Sequence, residues 1–377
     1  MSVAATERDW LSELQTLVTN PLDAKALRGR RLAAILGDTP STYAKSPKLW
    51  NAAFRALELG AVYVPLDVPR ERLPRVVELL RGCEAFLGGS VTVPYKMEIL
   101  PLLDEADPIT ARIGAVNVIV RTHDGRLVGS NTDGLGGVRA LTEASSGAAA
   151  ISRLANARAL LIGAGGAAQA VAFYLWEQMS DGELLIANRT RAGAEGLAKR
   201  LSEMRPGRVS AIAEEAVAER VAWTDLVINA SVKGQAGIRK LADGRWTCLE
   251  PYSALAPAQP SALVPSDSGD HAEFLQQWYR ASISDIQRNH QASLQVCAKL
   301  PKSAVCYDII YAPLETPFLR HARWSGHRTL NGRTMNLLQA VEAFDAYVCR
   351  EWLEQLGRRG PETRNRILQA MSEEWGK

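Results

Sequence analysis

A glycine-rich turn between an apolar segment and a helix-like segment is the feature that most constrains the fold of this chain. The segment Arg158–Ile162 is typical of a buried strand, and it runs directly into Gly163, Gly165 and Ala168 at the spacing G-x-G-x-x-A. The glycines let backbone N–H groups approach a pyrophosphate, and the following helix adds partial positive charge at its N-terminus. The turn predicts a dinucleotide-binding unit, and its alternative interpretation is a tight strand-to-helix connection that binds nothing.

The end of the next predicted strand indicates which dinucleotide is bound. Asn188, Arg189, Thr190 and Arg191 stand where an NAD-preferring fold usually has Asp or Glu to hold the ribose diol. Guanidinium groups bind a 2′-phosphate in a bidentate way, whereas a carboxylate repels it. These residues favour NADP over NAD as the cofactor, and the alternative interpretation is a solvated loop.

Strand-like and helix-like segments alternate along most of the chain. Strands are predicted at 31–37, 61–66, within 85–93, and at 158–162, 184–188, 226–229 and 304–310. Helices are predicted at 8–19, 47–59, 73–81, 98–107, across 271–299 as one or two helices, and from 334 towards 375. Such alternation predicts an α/β fold with mainly parallel sheets. Residues 242–270 lack periodicity and are predicted to form a loop.

Size and composition exclude several classes of protein. The chain has 377 residues, of which 47% are hydrophobic and 23% charged, as expected for a globular protein of two domains. The net charge of +3 and the dispersed basic residues argue against nucleic acid as a partner. The five cysteines and five histidines show no spacing typical of a metal site or a disulfide framework. We therefore expect a small-molecule substrate and no metal.

The chain start indicates where the protein works. Glu7, Arg8 and Asp9 interrupt the pattern of a signal peptide, and no apolar run reaches the length of a membrane span. We expect a cytoplasmic protein with no membrane partner.

A second group of motifs carries candidate chemistry. Lys96 ends the segment Ser90-Val91-Thr92-Val93-Pro94-Tyr95-Lys96, and Asp133 ends Asn131-Thr132-Asp133. Reduction of a ring ketone requires a proton for the developing alkoxide, which a lysine can supply and an aspartate can help to orient. Neutral side chains nearby discriminate hydroxyl positions by hydrogen bonding. The alternative interpretations are a solvated Lys96 and a helix-capping Asp133.

Together, these motifs resemble the shikimate dehydrogenase family, including its quinate-oxidising relatives. The matching segments, in order, are 37–54, 89–96, 114–117, 129–136, 163–168, 188–190, 227–231, 308–319 and 331–344. The resemblance implies an α/β substrate domain at 1–135, a Rossmann-type NADP-binding domain at 136–330, and C-terminal helices at 331–377 that return to the first domain. It also implies the interconversion of 3-dehydroshikimate and shikimate in the cleft between the domains.

The resemblance further implies a role for each matched residue. Lys96 and Asp133 would form the catalytic pair. Thr92, Asn117 and Gln339 would bind ring hydroxyls, while Ser46 and Tyr311 would bind the substrate carboxylate. The cofactor would be held by Gly163, Gly165, Gly166, Ala167, Asn188, Arg189, Thr190, Arg191, Ser231 and Met335.

Departures from the family pattern lie mainly on the substrate side. Ala44 stands where the family commonly has the first serine of Ser-x-Ser-Pro, and the loss of a hydrogen bond to a charged group costs about 1.5 to 3 kcal/mol unless Tyr43 or Thr42 compensates. Thr334 introduces a larger residue near the expected nicotinamide site. These changes leave open the same chemistry on quinate, another cyclic polyol or an aminated analogue.

Two further alternatives remain at this level. One is a catalytically silent paralogue that binds a nucleotide or metabolite, against which the presence of both Lys96 and Asp133 argues. The other concerns an insertion at about 242–300, which we interpret as a peripheral elaboration or an oligomer contact in preference to a lid. The protein is expected to be a monomer or a homodimer.

Overall fold

The structure, a computed structural model, describes residues 3–143, 150–151, 153–241, 243–266 and 269–376, with side chains from residue 10 onward. Its internal contacts divide the chain into two units. One comprises Met1–Gly136 and Leu337–Lys377, and the other comprises Gly137–Asn336. The Ser-, Gly- and Ala-rich composition of 142–150 predicts a junction between domains, and most of this segment lies outside the described residues.

The first part of the chain alternates helices with the strands of one sheet. Its elements are α1 (Val3–Leu17), α2 (Ala24–Leu27), β1 (Arg31–Gly37), α3 (Pro40–Tyr43), α4 (Ser46–Ala56), β2 (Ala61–Asp67), α5 (Leu73–Gly82), β3 (Phe86–Val91), β4 (Glu105–Ala106), α6 (Pro108–Ile113), β5 (Val118–Arg121), β6 (Leu127–Ser130) and α7 (Asp133–Thr142), with 3₁₀ turns at Arg70–Arg72 and Leu100–Leu102.

The first sheet is mixed, with the strand order β2-β1-β3-β5-β6-β4. Strand β1 is parallel to β2 and β3, whereas β5 is antiparallel to both β3 and β6. Gly89 of β3 has φ of 159°, and a Cβ there would lie 1.8 Å from the carbonyl oxygen of Ala34. The absence of a side chain at Gly89 therefore allows β3 to lie this close to β1.

The helix predicted at 98–107 is wrong. The structure has only a 3₁₀ turn at Leu100–Leu102 and then the short strand β4. Pro101 lacks an N–H and its ring clashes with the carbonyl of the preceding turn, which disfavours a regular helix. The Asp104 carboxylate accepts the backbone N–H of Leu127 at 2.7 Å, so the segment is instead anchored beside β6.

The second part of the chain forms a parallel sheet with helices between its strands. Its elements are β7 (Arg158–Ile162), α8 (Gly166–Gln178), β8 (Glu183–Ala187), α9 (Arg191–Met204), β9 (Arg208–Ile212), α10 (Val217–Arg220), β10 (Leu226–Asn229), β11 (Ile238–Lys240), β12 (Trp246–Cys248), α11 (His271–Lys299), β13 (Val305–Asp308), α12 (Pro317–Trp324) and β14 (Arg328–Leu330), with 3₁₀ turns at Glu214–Ala216 and Val221–Trp223.

The main sheet of this unit confirms the predicted Rossmann-type arrangement. Its order is β14-β13-β10-β7-β8-β9, and every neighbouring pair is parallel. The order reverses at β7, where the glycine turn lies. In open α/β sheets the crevice at such a switch point is the usual ligand site.

The insertion contains more structure than predicted. A single 29-residue helix, α11, fills 271–299, and Asp270 caps it by accepting the backbone N–H of Ala272 at 2.8 Å. The predicted loop at 242–270 includes β12, which pairs with β11 in a separate two-stranded sheet. Three residues are too short a run to show an alternating pattern, so the sequence does not reveal this strand.

The C-terminal helices complete the first unit, as the fold class predicted. They are α13 (Arg333–Glu342), a π-helical turn (Ala343–Val348), α14 (Arg350–Gln355) and α15 (Pro361–Trp375). The Phe344 ring lies 5.1 Å from Trp50 and 5.0 Å from Phe54 between centroids. This aromatic contact binds the chain end to α4 through apolar burial.

Candidate active site

Lys96 and Asp133 form a close ion pair. Lys96 Nζ lies 2.5 Å from Asp133 Oδ2, and the two side chains are 16% and 7% exposed. Lys96 lies in a turn that follows β3. Its backbone carbonyl accepts a hydrogen bond from the backbone N–H of Val116 at 2.7 Å. Asp133 is the first residue of α7. The pair is therefore held on two anchored backbone segments. The alternative interpretation, in which Lys96 is freely solvated, is wrong.

Asn117 connects this pair to neutral side chains. Asn117 Nδ2 lies 2.9 Å from Asp133 Oδ1, 3.1 Å from Thr132 Oγ1 and 3.2 Å from Gln339 Oε1. The backbone N–H of Thr132 donates to Asn117 Oδ1 at 2.8 Å. Asn117 is 2% exposed. The buried amide consequently sets the orientation of the aspartate and of the Gln339 side chain.

The antiparallel strands β5 and β6 bring these motifs together. Val118 pairs with Ser130 across them, so the residues just before β5 and just after β6 become neighbours. Asn131 Nδ2 donates to the Ala115 carbonyl at 2.7 Å, which locks the two segments. Neither strand was predicted from the sequence, although the polar motifs at their ends were recognised.

The remaining substrate-side residues of the first unit surround the start of α4 and the end of β3. The backbone N–H of Thr92 donates to Leu36 O at 2.9 Å, and the Tyr43 hydroxyl lies 3.4 Å from Thr92 Oγ1. Ser46 opens α4, and its Oγ is buried without a hydrogen-bond partner. Tyr43 therefore reaches the substrate-side residues, as the compensation hypothesis requires.

Thr42 does not fit that hypothesis. Its Oγ1 donates to the Thr39 carbonyl at 2.8 Å and is engaged within its own turn. Ala44 is half-buried and packs against the apolar cluster that contains Trp50 and Tyr63. Where the family commonly has a serine, this chain therefore has an alanine that makes an apolar contact.

The glycine turn of the second unit has the shape of an anion-binding turn. Gly163 has φ of 118°, and a Cβ there would lie 2.7 Å from the Ala230 carbonyl oxygen, so only glycine is accommodated. Gly165 caps α8, and no atom lies within 4 Å of where its Cβ would stand. Gly166 and Ala167 form the first turn of α8, whose N–H groups point away from the helix. These residues fit a bound pyrophosphate.

The residues after β8 present an exposed cationic surface. Asn188 Nδ2 donates to the carbonyl and to Oγ1 of Thr190, at 3.0 and 2.9 Å. Arg189 is exposed, and Arg191 is exposed with its Nε 2.7 Å from Glu195 Oε1. A surface ion pair of this kind is weak and leaves the guanidinium available to a phosphate.

Asp308 is an anchoring residue that the sequence analysis did not single out. It pairs with Asn229 across β10 and β13, and Asn229 Nδ2 lies 3.1 Å from both carboxylate oxygens. Thr316 Oγ1 donates a hydrogen bond to the Asp308 carboxylate at 2.7 Å, and the backbone N–H of Ile310 donates to the same carboxylate at 3.0 Å. Complete burial raises the pKa of Asp308 to about 7, against the effect of these donors. The sequence did contain a signal for this contact, because Asn229 and Asp308 are polar residues that each end an apolar strand.

This network positions predicted site residues of the second unit. Ser231 Oγ donates to Asn229 Oδ1 at 2.7 Å. Tyr311 lies in the segment between β13 and α12, which Asp308 holds at both ends through Ile310 and Thr316. Met335 is 6% exposed and packs beside Gly137, whose Cβ position would be 3.5 Å from its sulfur.

The loop after β10 is also tied to the insertion. Lys233 is buried, and its Nζ donates to the Glu214 carboxylate and, at 2.7 Å, to the Ala256 carbonyl. Burial lowers the pKa of Lys233, while Glu214 opposes that shift. Lys233 was not singled out from the sequence. The structure shows that it joins the Ser231 loop to residues of the insertion.

Some properties concern the chain as a whole. In the ranges that the structure describes, no helix is long and apolar enough to cross a membrane. The same ranges contain no group of three or more His, Cys, Asp or Glu side chains arranged to hold a metal ion. All five cysteines are buried and unpaired.

Comparisons with known proteins identify the family. Residues 36–119 match the shikimate dehydrogenase substrate binding domain, and residues 146–241 match the shikimate / quinate 5-dehydrogenase family. A shikimate dehydrogenase (NADP(+)) of Lysinibacillus sphaericus (strain C3-41) is 32% identical over 315 residues, 84% of this chain and 91% of the relative. One from Carboxydothermus hydrogenoformans is 35% identical over 318 residues, with the same two coverages of 84% and 91%.

A solved structure agrees with these relatives. A crystal structure of shikimate dehydrogenase in complex with NADP+ superposes with a TM-score of 0.64 and 28% identity, covering 94% of this chain and 97% of that one. The similarity thus extends over both sheets and nearly the whole length of the relatives. The chain belongs to the shikimate dehydrogenase family.

Proposed function

We propose that Lys96 and Asp133 manage the proton in the NADP-dependent interconversion of 3-dehydroshikimate and shikimate. The protein is an NADP-dependent oxidoreductase that acts on a CH–OH group, like its shikimate dehydrogenase relatives. The observation that carries the assignment of the pair is the 2.5 Å separation of Lys96 Nζ and Asp133 Oδ2 in a mostly buried environment. An ammonium and a carboxylate at this distance can share and transfer a proton.

The roles of the pair follow from charge. During ketone reduction negative charge develops on the substrate oxygen, and the Lys96 ammonium stabilises it and donates a proton. During alcohol oxidation the same nitrogen takes the proton back. Asp133 is oriented by Asn117 and holds the lysine nitrogen in position. NADP, when bound, supplies or accepts the hydride at the ring carbon.

The second unit fits NADP. The turn at Gly163 and Gly165 presents backbone N–H groups at the start of α8 for the pyrophosphate. The exposed guanidinium groups of Arg189 and Arg191 suit the 2′-phosphate. Met335 is assigned to a place beside the nicotinamide, and Ser231 is assigned to cofactor binding. We accordingly propose that 136–330 is the cofactor domain and that 1–135 with 331–377 is the substrate domain.

The substrate hydroxyls are assigned to neutral groups of the first unit. Thr92, Asn117 and Gln339 lie around the ion pair and offer both donors and acceptors. Ser46, with Tyr311 of the second unit, is assigned to the carboxylate. A site built from such groups rejects a ring with a missing or misplaced hydroxyl, because buried polar atoms are then left unpaired.

Steady-state kinetics with shikimate and quinate, each with NADP and NAD, tests this function. We expect the highest kcat/KM with shikimate and NADP. Efficient turnover of quinate alone would replace the substrate while keeping the chemistry, and no turnover with either would favour a silent binding protein. Relatives that match most of the chain favour shikimate over both alternatives.

We also propose a compartment and an oligomeric state for the protein. The five buried, unpaired cysteines support a reducing compartment, in keeping with a cytoplasmic location. A monomer or a homodimer is proposed for the assembly, and sedimentation equilibrium would distinguish them.

A further inference from the structure

The insertion at 242–300 is hydrogen-bonded to a loop of the proposed cofactor site. We call this loop, residues 229–234, the β10 loop. Lys233 Nζ donates to the Ala256 carbonyl at 2.7 Å, and the backbone N–H of Gly234 donates to the Leu249 carbonyl at 2.8 Å. Lys233 Nζ also donates to the Glu214 carboxylate, so the buried ammonium has a counter-charge. The insertion therefore holds the loop through both a side chain and the backbone.

The β10 loop itself lies against the glycine turn. A Cβ at Gly163 would lie 2.7 Å from the Ala230 carbonyl oxygen and 2.9 Å from the Ser231 nitrogen, so the two segments are in direct contact. Hydrogen bonds within the loop keep it compact, because Asn229 Nδ2 donates to the Lys233 carbonyl at 3.0 Å and the Lys233 N–H donates to Ser231 Oγ at 3.2 Å. A displacement of Lys233 is consequently passed to Ser231 and to the turn.

The order of the strands indicates which half of a dinucleotide this loop faces. Strand β7 runs into the glycine turn and has β10 on one side and β8 on the other. Arg189 and Arg191, proposed for the 2′-phosphate of the adenosine half, follow β8. A dinucleotide binds across the crevice at such a switch point, with one nucleotide on each side. The β10 loop therefore lies on the side of the nicotinamide half.

Helix α11 fixes the acceptor that Lys233 uses. Asn289 of this helix is buried, and its Nδ2 lies 3.1 Å from each of three carbonyl oxygens, those of Ser253, Ala256 and Pro257. Its Oδ1 accepts the backbone N–H of Ser253 at 2.8 Å. The Ala256 carbonyl thus accepts hydrogen bonds from both Asn289 and Lys233. Helix α11 and the β10 loop are joined by one continuous chain of hydrogen bonds.

We propose that the insertion positions the β10 loop for the nicotinamide half of NADP, with Lys233 and Asn289 as the positioning residues. This inference rests on the proposed function. Neither side chain needs to contact the cofactor, because Lys233 holds the loop and Asn289 holds the Ala256 carbonyl that Lys233 binds. Asn289 acts on the loop through Lys233, so its effect on NADP should disappear once Lys233 is replaced.

The first test measures the Kd of NADP by isothermal titration calorimetry on the full chain. The double variant Lys233→Met, Glu214→Gln removes both charges of the buried pair, so no uncompensated charge is left to disturb folding. We expect the Kd of NADP to rise about tenfold, because the hydrogen bond from a charged donor to the insertion is lost. The Kd of adenosine 2′,5′-bisphosphate, which has only the adenosine half, should change less than about twofold.

Asn289→Ala tests the other end of the chain of hydrogen bonds. It should raise the Kd of NADP about threefold in the wild type and leave it unchanged in the background of the double variant. Thr247→Val is the matched control. It removes a hydrogen bond of a buried side chain within the insertion, from Thr247 Oγ1 to the Ser261 carbonyl at 2.8 Å, and should leave the Kd of NADP unchanged.

Several outcomes would overturn the inference while the proposed function stands. One is native affinity for NADP in the double variant. Another is an equal loss of affinity for NADP and for adenosine 2′,5′-bisphosphate, or a loss in Thr247→Val equal to that in Asn289→Ala, because either would indicate general damage to the domain. Additive effects of Asn289→Ala and the double variant would exclude the route through Lys233. A wild-type protein that binds no NADP would instead remove the proposed function, and this inference with it.

Discussion

Asp133 and Asp308 are both buried aspartates at the ends of polar motifs, one in each unit, and their surroundings differ in one respect. Asp133 has the Lys96 ammonium at 2.5 Å as well as the Asn117 amide. Asp308 has only neutral donors, from Asn229, Thr316 and the Ile310 backbone, and among the described side chains no cation lies within ion-pair distance. The first arrangement can move a proton, whereas the second can only hold loops in place.

Burial alone does not make an aspartate catalytic. A carboxylate within hydrogen-bond distance of a cationic partner has the geometry for proton transfer with that partner, as Asp133 has with Lys96. A carboxylate surrounded by neutral donors gains hydrogen bonds but retains the desolvation cost, as the pKa of about 7 for Asp308 reflects. A perturbed pKa is therefore a poor guide to the reacting group in this enzyme, and geometry is a better one.

The largest effect is expected from Lys96→Met. Methionine keeps the length of the side chain and removes the proton and the charge, so kcat should fall about 10³-fold, within the range of general acid–base catalysis. The measurement is NADPH absorbance at saturating substrate. Lys48→Met, an exposed change on α4, is the control and should retain full activity. A Lys96→Met enzyme with more than a tenth of native kcat would contradict the assignment.

Asp133→Asn should cost about 10²-fold in kcat, because the amide keeps the shape but no longer supports the charged lysine. Asp308→Asn is the matched change in the other unit, and its kcat should stay within about threefold of the native value. The contrast is measured on both variants in one assay. Equal losses of kcat would mean that both aspartates act on the reaction, and the distinction drawn between them would fail.

Asp308→Ala should reduce stability more than activity. The change leaves three buried donors without an acceptor, and the free energy of unfolding should fall by about 3 kcal/mol. Asp308→Asn should lose less, since one amide oxygen still accepts a hydrogen bond. Urea unfolding followed by tryptophan fluorescence measures both. An Asp308→Ala protein as stable as the wild type would show that the network anchors nothing.

The smallest effect concerns pH. The folded pKa of Asp308, about 7, lies above its ordinary value of 3.8, so the folded state binds more protons between these values. The contribution of protonated Asp308 to the free energy of unfolding is therefore full below about pH 4. It is lost as the pH rises towards and through 7. The melting temperature of the wild type minus that of Asp308→Asn should thus shrink by a few degrees between pH 5 and pH 8. A difference independent of pH would contradict the raised pKa.

Much of the fold was predictable from local patterns, and the misses have specific causes. Strands β7, β8 and β10 of the second unit are mainly apolar runs that end in glycine or polar residues, which is why they were recognised to within a residue. Strands β9 and β14 include polar residues and were not predicted. Strands β5 and β6 were missed because they pair antiparallel with no helix between them, so they lie outside the strand–helix alternation that identified the other strands. The predicted helix at 98–107 failed because Pro101 and the anchoring of Asp104 outweighed its apolar spacing.

Some residues of the candidate site were likewise predicted from the sequence, and others were missed. Lys96, Asp133 and Asn117 were predicted as separate motifs, and the structure brings them into one network. Asp308 and Lys233 were passed over, because their significance lies in contacts with Asn229, Thr316, Glu214 and Ala256 from distant parts of the chain. No spacing in the sequence encodes such contacts.

The sequence by itself determined the alternation of strands and helices, the anion-binding glycine turn, the cationic end of β8 and the residue types available for chemistry. These depend on local periodicity, backbone freedom and side-chain charge, which act over a few neighbouring residues. Only the tertiary structure decided which aspartate meets a lysine and which one is surrounded by neutral donors. Those outcomes depend on strand pairing and burial between segments that are far apart in the chain.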